Sequence, residues 1–165
     1  MTIAYHRAPA AQLDPVLLYR LLELRVAVFV VEQRAAYDDL DGRDVEPGAE
    51  LLWAEEDGVV LGTARVLHDR DPEAMRIGRV ATAVAGRSRG VASALMRLGV
   101  ERCQEVAPRL PILLDAQEHL AGWYARFGFV VDGEQYLEDG IPHVPMRLDP
   151  AGLSAPAGLR PARSA

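Results

Sequence analysis

Residues 77–96 read IGRVATAVAGRSRGVASALM, and the change of period inside this stretch decides the fold. Ile77 to Ala83 is apolar and short, as a buried strand would be. A loop with Arg87, Ser88, Arg89 and Gly90 follows. From Gly90 to Val106 the spacing turns helical, with Val91, Ala94, Leu95 and Leu98 on one side and Arg97, Glu101 and Arg102 on the other. A helix starting there leaves its first backbone N–H groups unpaired at the positive end of the dipole, which suits a phosphate. Gly90 removes a side chain where backbone must approach a ligand, and Ala92 keeps the first turn thin. Arg87 and Arg89 add charged donors. The same pattern, R-x-x-G-x-A, also describes a plain helix start with surface arginines. It is not a P-loop, since no Gly-Lys-Ser/Thr follows, and it lies on the fourth strand rather than the first, unlike a dinucleotide fingerprint.

Upstream, Ile3 to His6 is a short first strand. Asp14-Pro15 reads as N-cap and first helical residue, and Leu17, Leu21, Leu24 and Val28 follow at helical spacing. Gln33 to Gly48 is a loop-rich region holding Asp38, Asp39, Asp41, Asp44 and Glu46, either a solvated loop or the acidic rim of a cleft that would favour a cationic acceptor. Leu51–Glu55 and Val59–Leu67 are strands joined by an Asp57-Gly58 hairpin turn. Downstream, Ile112–Ala116 is a strand, Leu120, Tyr124 and Phe127 share a helical face, and Gly128 suits a left-handed C-cap. Phe129–Val131 and Val144–Leu148 complete the strands. The order predicts one α/β domain over 1–148, a mixed sheet with a parallel crossover through the 90–106 helix. Residues 149–165, rich in Pro, Ala and Gly, are expected to form a disordered tail.

With 165 residues, half of them hydrophobic and a quarter charged, the chain is composed like a soluble globular domain. No apolar run nears the ~20 residues of a membrane helix, and the first ten residues lack signal-peptide character. A membrane partner is not expected, and the cytoplasm is the expected address. Its 24 acids against 18 bases give a net charge of −6, which disfavours nucleic acid as a partner. Every base is Arg. With no Lys, neither a Schiff base nor acetylation of its own lysine side chains is available. The single Cys103 permits no intrachain disulfide and no thiolate metal cage, and no metal is expected. It reads as a small buried hydrophobe rather than a nucleophile.

The strand, the R-x-x-G-x-A loop and the helix resemble the pyrophosphate-binding motif of the GNAT acetyltransferases. The stretch LLDAQEHLAGWYARFGF (113–129) resembles their second motif, a strand followed by a tyrosine-bearing helix ending in Gly-Phe. LRVAVFVVEQ (24–33), YDDLDGRD (37–44), GRV (78–80), AQ (116–117) and EDGIPH (138–143) are similar to the ElaA subgroup. The resemblance covers residues 17–148. It implies the acyl-CoA N-acyltransferase fold, with splayed fourth and fifth strands and acetyl-CoA as donor co-substrate. It would pair pantetheine with the backbone of Val80, Ala81 and Thr82 and place pyrophosphate on the loop from Arg87 through Ser88, Arg89, Gly90 and Val91 to Ala92. Gln117 stands where many relatives hold pantetheine with an asparagine. Tyr124 falls where the family places the acid for the departing thiolate.

Transfer to an amine needs a neutral nucleophile, a polarised carbonyl and a proton for sulfur. A phenol with an ordinary pKa near 10 is protonated at neutral pH and can supply that proton. A backbone N–H near Thr82 is the candidate for polarising the carbonyl. Glu32 and His143 are candidate bases, because subgroup motifs surround both; Glu32 also fits a surface acid and His143 a structural histidine. Tyr124 equally fits a core aromatic. Arg25 is either a cleft-lining or a surface residue. Trp53 and Trp123 read as core or helix-flank aromatics. The acceptor is expected to be a small amine or a peptide amine, and a homodimer is among the expectations because related folds often dimerise. Two other readings stay open: a CoA-binding sensor or partner module without catalysis, and, from a distant similarity over Leu24–Asp69, an acyl-homoserine-lactone-synthase-like acyltransferase using acyl-carrier protein.

Overall fold

A computed structural model describes residues 2–150 of the protein. Its elements are β1 (Ala4–Ala8), α1 (Pro15–Arg25), β2 (Glu50–Glu56), β3 (Val59–Arg70), β4 (Glu73–Thr82), α2 (Val91–Val106), β5 (Ile112–Gln117), α3 (Ala121–Ala125), β6 (Val130–Val131), β7 (Tyr136–Glu138) and β8 (Ile141–Leu148). They form one sheet in the order β1-β2-β3-β4-β5-β8-β6, with β7 also on β8. Every pairing is antiparallel except β4 with β5, which α2 joins as a crossover.

The run Leu51–Ala54 is buried throughout because both sheet faces are covered. Leu51 and Trp53 face α1, packing with Leu21. Leu52 and Ala54 face the other way, into a core with Val91, Leu95, Met96 and Cys103 of α2. Each fully buried Leu or Met contributes about 1.5–3 kcal/mol over an exposed one. Asp14 caps α1, accepting from the N–H groups of Val16 (2.9 Å) and Leu17 (3.3 Å), with Pro15 as first helical residue. The Asp57-Gly58 turn has φ of 51° and 77°, as a tight hairpin requires, and Gly128 takes φ 92° at the end of the α3 turn.

Three expectations are corrected. The first helix does not run on as α-helix: Val26–Glu32 is a π-helical segment, with Gln33 N–H on the Val28 carbonyl at 3.0 Å. Hydrophobic spacing cannot distinguish these helical pitches over so few residues. The fourth strand begins at Glu73, four residues before the apolar run, because Glu73–Arg76 pair with Leu67–Arg70 of β3, although their own pattern alternates too weakly to read as strand. The last strand begins at Ile141 and is preceded by β7 through an Asp139-Gly140 turn, with φ of 49° and 78°. This turn dipeptide is of the same kind as Asp57-Gly58 and was the available signal. Of the expected tail, residues 151–165 lie outside the described residues.

Candidate active site

β4 and β5 are paired only at Met75 with Ile112 and Arg76 with Leu113. Beyond that they part, because β5 stays in register with β8 from Ile112–Leu148 to Gln117–His143 while β4 stays with β3. The gap opens a cavity of about 450 Å³, a volume suited to a small-molecule site. The β3–β4 ladder passes from Thr63–Ala81 to Arg65–Gly78, so Arg79 and Val80 together oppose Ala64. This bulge puts Arg79 at φ 53°, an unfavourable conformation for a side-chain-bearing residue. Ion pairs to Asp39 (2.9 Å) and Asp41 (3.2 Å) and a stack on Tyr37 (4.9 Å) hold it there. Past the bulge, Ala83 N–H donates to Leu61 O at 3.0 Å. Strand alternation therefore turns Thr82 N–H toward the gap.

A second concavity of about 290 Å³ sits at the start of α2, lined by Thr82, Gly86, Arg87, Ser88, Gly90 and Ala92, with Trp123 at its side. Ser88 and Gly90 have φ of 60° and 77°, and such left-handed residues turn successive N–H groups into a concave anion nest. Gly86 anchors the loop: a Cβ there would stand 2.5 Å from the Leu61 carbonyl oxygen. The donors present, a nest, a 16-residue helix N-terminus and Arg87, fit a pyrophosphate. Both loop arginines carry carboxylates: Arg87 meets Glu32 at 2.6 Å and Arg89 meets Glu56 at 2.9 Å. Ala81 is buried against Val28 and Phe29, so only its backbone is available to a ligand; Val91 is likewise buried in the core.

Tyr124 and His143 line the larger cavity together, with Val80 and Gln117. Tyr124 is half-buried against Trp123 and Phe129 as part of the core's edge, so the structural and cavity-lining readings both hold. Burial alone pushes its phenol up to about 12. His143 is buried, stacks on Tyr136 at 5.8 Å, and its Nδ1 lies 2.9 Å from the Ile141 carbonyl. A carbonyl only accepts, so Nδ1 carries a proton, and Nε2 is the ring nitrogen that faces Glu138, at 3.8 Å. Gln117 donates from Nε2 to Gln33 Oε1 at 3.0 Å, tying the π-helical end to β5 across the gap. Glu32 does not line the cavity: the π-helical turn carries it to Arg87 instead.

The acidic stretch is neither a solvated loop nor a free acidic rim. Arg25, 1% exposed and outside the cavity lining, binds Asp39 (3.1 Å) and Asp44 (2.6 Å). Arg65 grips Asp41 with two bonds of 2.7 and 2.8 Å. Burial works to raise the Asp41 carboxyl, but the Arg65 bonds, the Arg43 N–H and Arg79 outweigh it and hold it well below the usual carboxylate range. Cleft residues missed by sequence reading, Gln33, Arg79, Tyr136 and Glu138, sit just past the π-segment, on the bulge and on β7. The Tyr136 phenol is raised by burial and by the neighbouring Asp115 carboxylate. Trp53 is core, and burial pushes the Cys103 thiol up to about 12, which silences it as a nucleophile. Among the described residues no His, Cys, Asp and Glu cluster is placed to hold a metal, and no helix is long and apolar enough to cross a membrane.

Residues 19–150 match the acetyltransferase (GNAT) domain family. A UPF0039 protein of Mycobacterium tuberculosis is 42% identical over 149 residues, covering 88% of this chain and 93% of its own. Protein ElaA of Escherichia coli is 42% identical over 130 residues, covering 78% and 85%. Two solved structures superpose with a TM-score of 0.84: an acyl-CoA N-acyltransferase from Pseudomonas aeruginosa, 38% identical over 89% of this chain and 99% of that one, and Escherichia coli ElaA, 37% identical over 90% and 100%. These likenesses, on a sheet split between β4 and β5 with Tyr124 and His143 lining the gap, mean that the chain belongs to the GNAT acetyltransferase family, in its ElaA-type group.

Proposed function

We propose that the protein transfers an acetyl group from acetyl-CoA to a primary amine by direct attack in a ternary complex. One observation carries the reading: Tyr124, with its phenol pushed up to about 12, lines the same gap as the open edge of β4 and the imidazole of His143. When bound, acetyl-CoA supplies the activated thioester. The nest from Arg87 to Ala92 binds the pyrophosphate, and the backbone of Val80, Ala81 and Thr82 aligns the pantetheine arm as an added strand would. Gln117 and Gln33 close over that arm. Thr82 N–H, turned away from β3, polarises the carbonyl oxygen. His143 Nε2, beside Glu138, takes the proton from the incoming ammonium, and Tyr124 donates to the departing sulfur. Holding both reactants in line supplies roughly 7–11 kcal/mol of barrier reduction. The cytoplasm is the address that goes with this reading.

The test is mass spectrometry of products from acetyl-CoA and a panel of small amines and peptides, with free thiol followed in parallel. The expected result is an N-acetylated product formed with one thiol released per transfer. CoA binding without transfer to any amine would point to a binding module, and turnover only with an acyl-carrier protein would point to the homoserine-lactone-synthase type.

A further inference from the structure

Arg65 is 4% exposed and lines the cavity, yet its Nε has no hydrogen-bond partner among the described residues. Its other two nitrogens are taken by Asp41, so the guanidinium cannot swing away to satisfy the third. Three other buried side-chain atoms are also without hydrogen bonds, but each has a charged group in reach: Asp39 Oδ1 at 2.9 Å from Arg79, His68 Nε2 at 3.4 Å from Glu73 and His6 Nε2 at 3.7 Å from Glu55. None of those three residues lines this cavity; Arg65 does. A buried charged donor left unmade is expensive, and in a folded protein it calls for a ligand or water.

The residue directly across the ladder from Arg65 is Gly78. Cross-strand partners point to the same sheet face, so the guanidinium stem runs beside the place where residue 78 has no side chain. A Cβ built on Gly78 meets nothing within 4 Å, and Gly78 also lines the cavity. The backbone there is not in the left-handed region, so conformation does not demand glycine. What glycine leaves is an open slot beside an orphaned cationic donor, immediately before the Arg79–Val80 bulge.

The geometry points to a carboxylate subsite: the acceptor is a small amino acid whose carboxylate occupies the slot over Gly78 and accepts from Arg65 Nε. Arg76 lines the same cavity but is held by Asp69 and Asp115 (both 2.7 Å), so Arg65 Nε is the donor left open there. The acids of the 38–46 loop do not oppose this, because Asp39, Asp41 and Asp44 are all held by arginines. Glu138, which among the described residues has no arginine within ion-pair distance, is the carboxylate left to receive the acceptor's ammonium. The cavity thus offers an unpaired guanidinium N–H for one end of a zwitterion and the Glu138–His143 pair for the other. This inference rests on the amine-acetyltransfer reading and names its substrate class.

The test measures acetyl-CoA-dependent thiol release by the full chain with α- and ω-amino acids, each beside its carboxamide and its decarboxylated amine. The best amino acid is expected to exceed both neutral partners by roughly ten- to a hundred-fold in kcat/KM, the range of a hydrogen bond between charged groups. Replacing Arg65 would also release the Asp41 loop, so Gly78→Val is the informative variant: it fills the slot from a Cβ that meets nothing within 4 Å. It should raise KM for the amino acid about ten-fold or more and leave KM for the decarboxylated amine unchanged. Decarboxylated amines serving as well as amino acids, or Gly78→Val affecting both alike, would overturn the carboxylate subsite while leaving amine acetylation intact. No transfer to any acceptor would overturn both.

Discussion

Arg87 Nη2 lies 2.6 Å from Glu32 Oε2, so the arginine of the phosphate nest is already paired with an acid from the π-helical turn. Both side chains are substantially exposed, at 43% and 50%, so the pair is weak in itself and a phosphate can displace the carboxylate. The contact separates two roles that sequence left open for Glu32. As a gatekeeper of Arg87, its loss as Glu32→Gln should leave kcat within about three-fold of wild type and lower KM for acetyl-CoA, most visibly at low salt. As the base it would instead cost about a hundred-fold or more in kcat. Steady-state kinetics at two ionic strengths decide between them.

Gly86 holds the nest by having no side chain. A Cβ would stand 2.5 Å from the Leu61 carbonyl oxygen and 3.2 Å from Leu61 Cβ, and backbone cannot rotate aside as a side chain can. Gly86→Ala should therefore displace the loop and raise KM for acetyl-CoA at least about ten-fold, since an error near 1 Å in positioning costs about a hundred-fold in rate. Calorimetric titration with CoA measures this without needing an acceptor.

Arg25 belongs to stability, not to the cleft. Its side chain and that of Asp39 are 1% and 2% exposed. Arg25→Met should cost up to about 3 kcal/mol in urea denaturation, because Asp39 and Asp44 each lose one arginine while Arg79 and Arg65 still reach them. Asp41 adds a pH dependence. Its folded pKa lies below the ordinary 3.8, so the stability it contributes is complete above that value and is lost as pH falls through and below it. Unfolding midpoints should drop steeply on acidification below about pH 4.

Tyr124 sets the alkaline behaviour of the reaction. An acid with a pKa near 10 would lose its proton, and the rate would fall, as pH approaches 10. Burial pushes this phenol up to about 12. The rate should therefore rise as the amine and its base lose protons, then stay level up to roughly pH 10 with no descending limb. A decline beginning near pH 9 would mean that a different acid serves the sulfur.

Much of this arrangement is legible in the sequence because local chemistry dictates it. Asp14-Pro15, Asp57-Gly58 and Gly128 each permit few backbone conformations, and the 90–106 spacing admits only a helix. The family motifs brought Tyr124, His143 and the nest into view before any fold was described. Long-range facts were not legible. That Arg65 stands beside Gly78, or that Glu32 reaches Arg87, depends on strand register and on a π-helical turn. Hydrophobic period cannot report either. The acidic stretch was misread for the same reason: its partners, Arg25, Arg65 and Arg79, come from α1, β3 and β4 and meet it only in the folded chain.

The most direct test of amine acetylation with Tyr124 as acid is single-turnover transfer from acetyl-CoA by wild type and Tyr124→Phe, with acetyl-CoA binding measured on both. The account predicts a rate about a hundred- to ten-thousand-fold lower in the variant, with binding and circular dichroism unchanged. A variant that transfers acetyl at the wild-type rate would contradict it and leave Tyr124 as an aromatic of the core's edge.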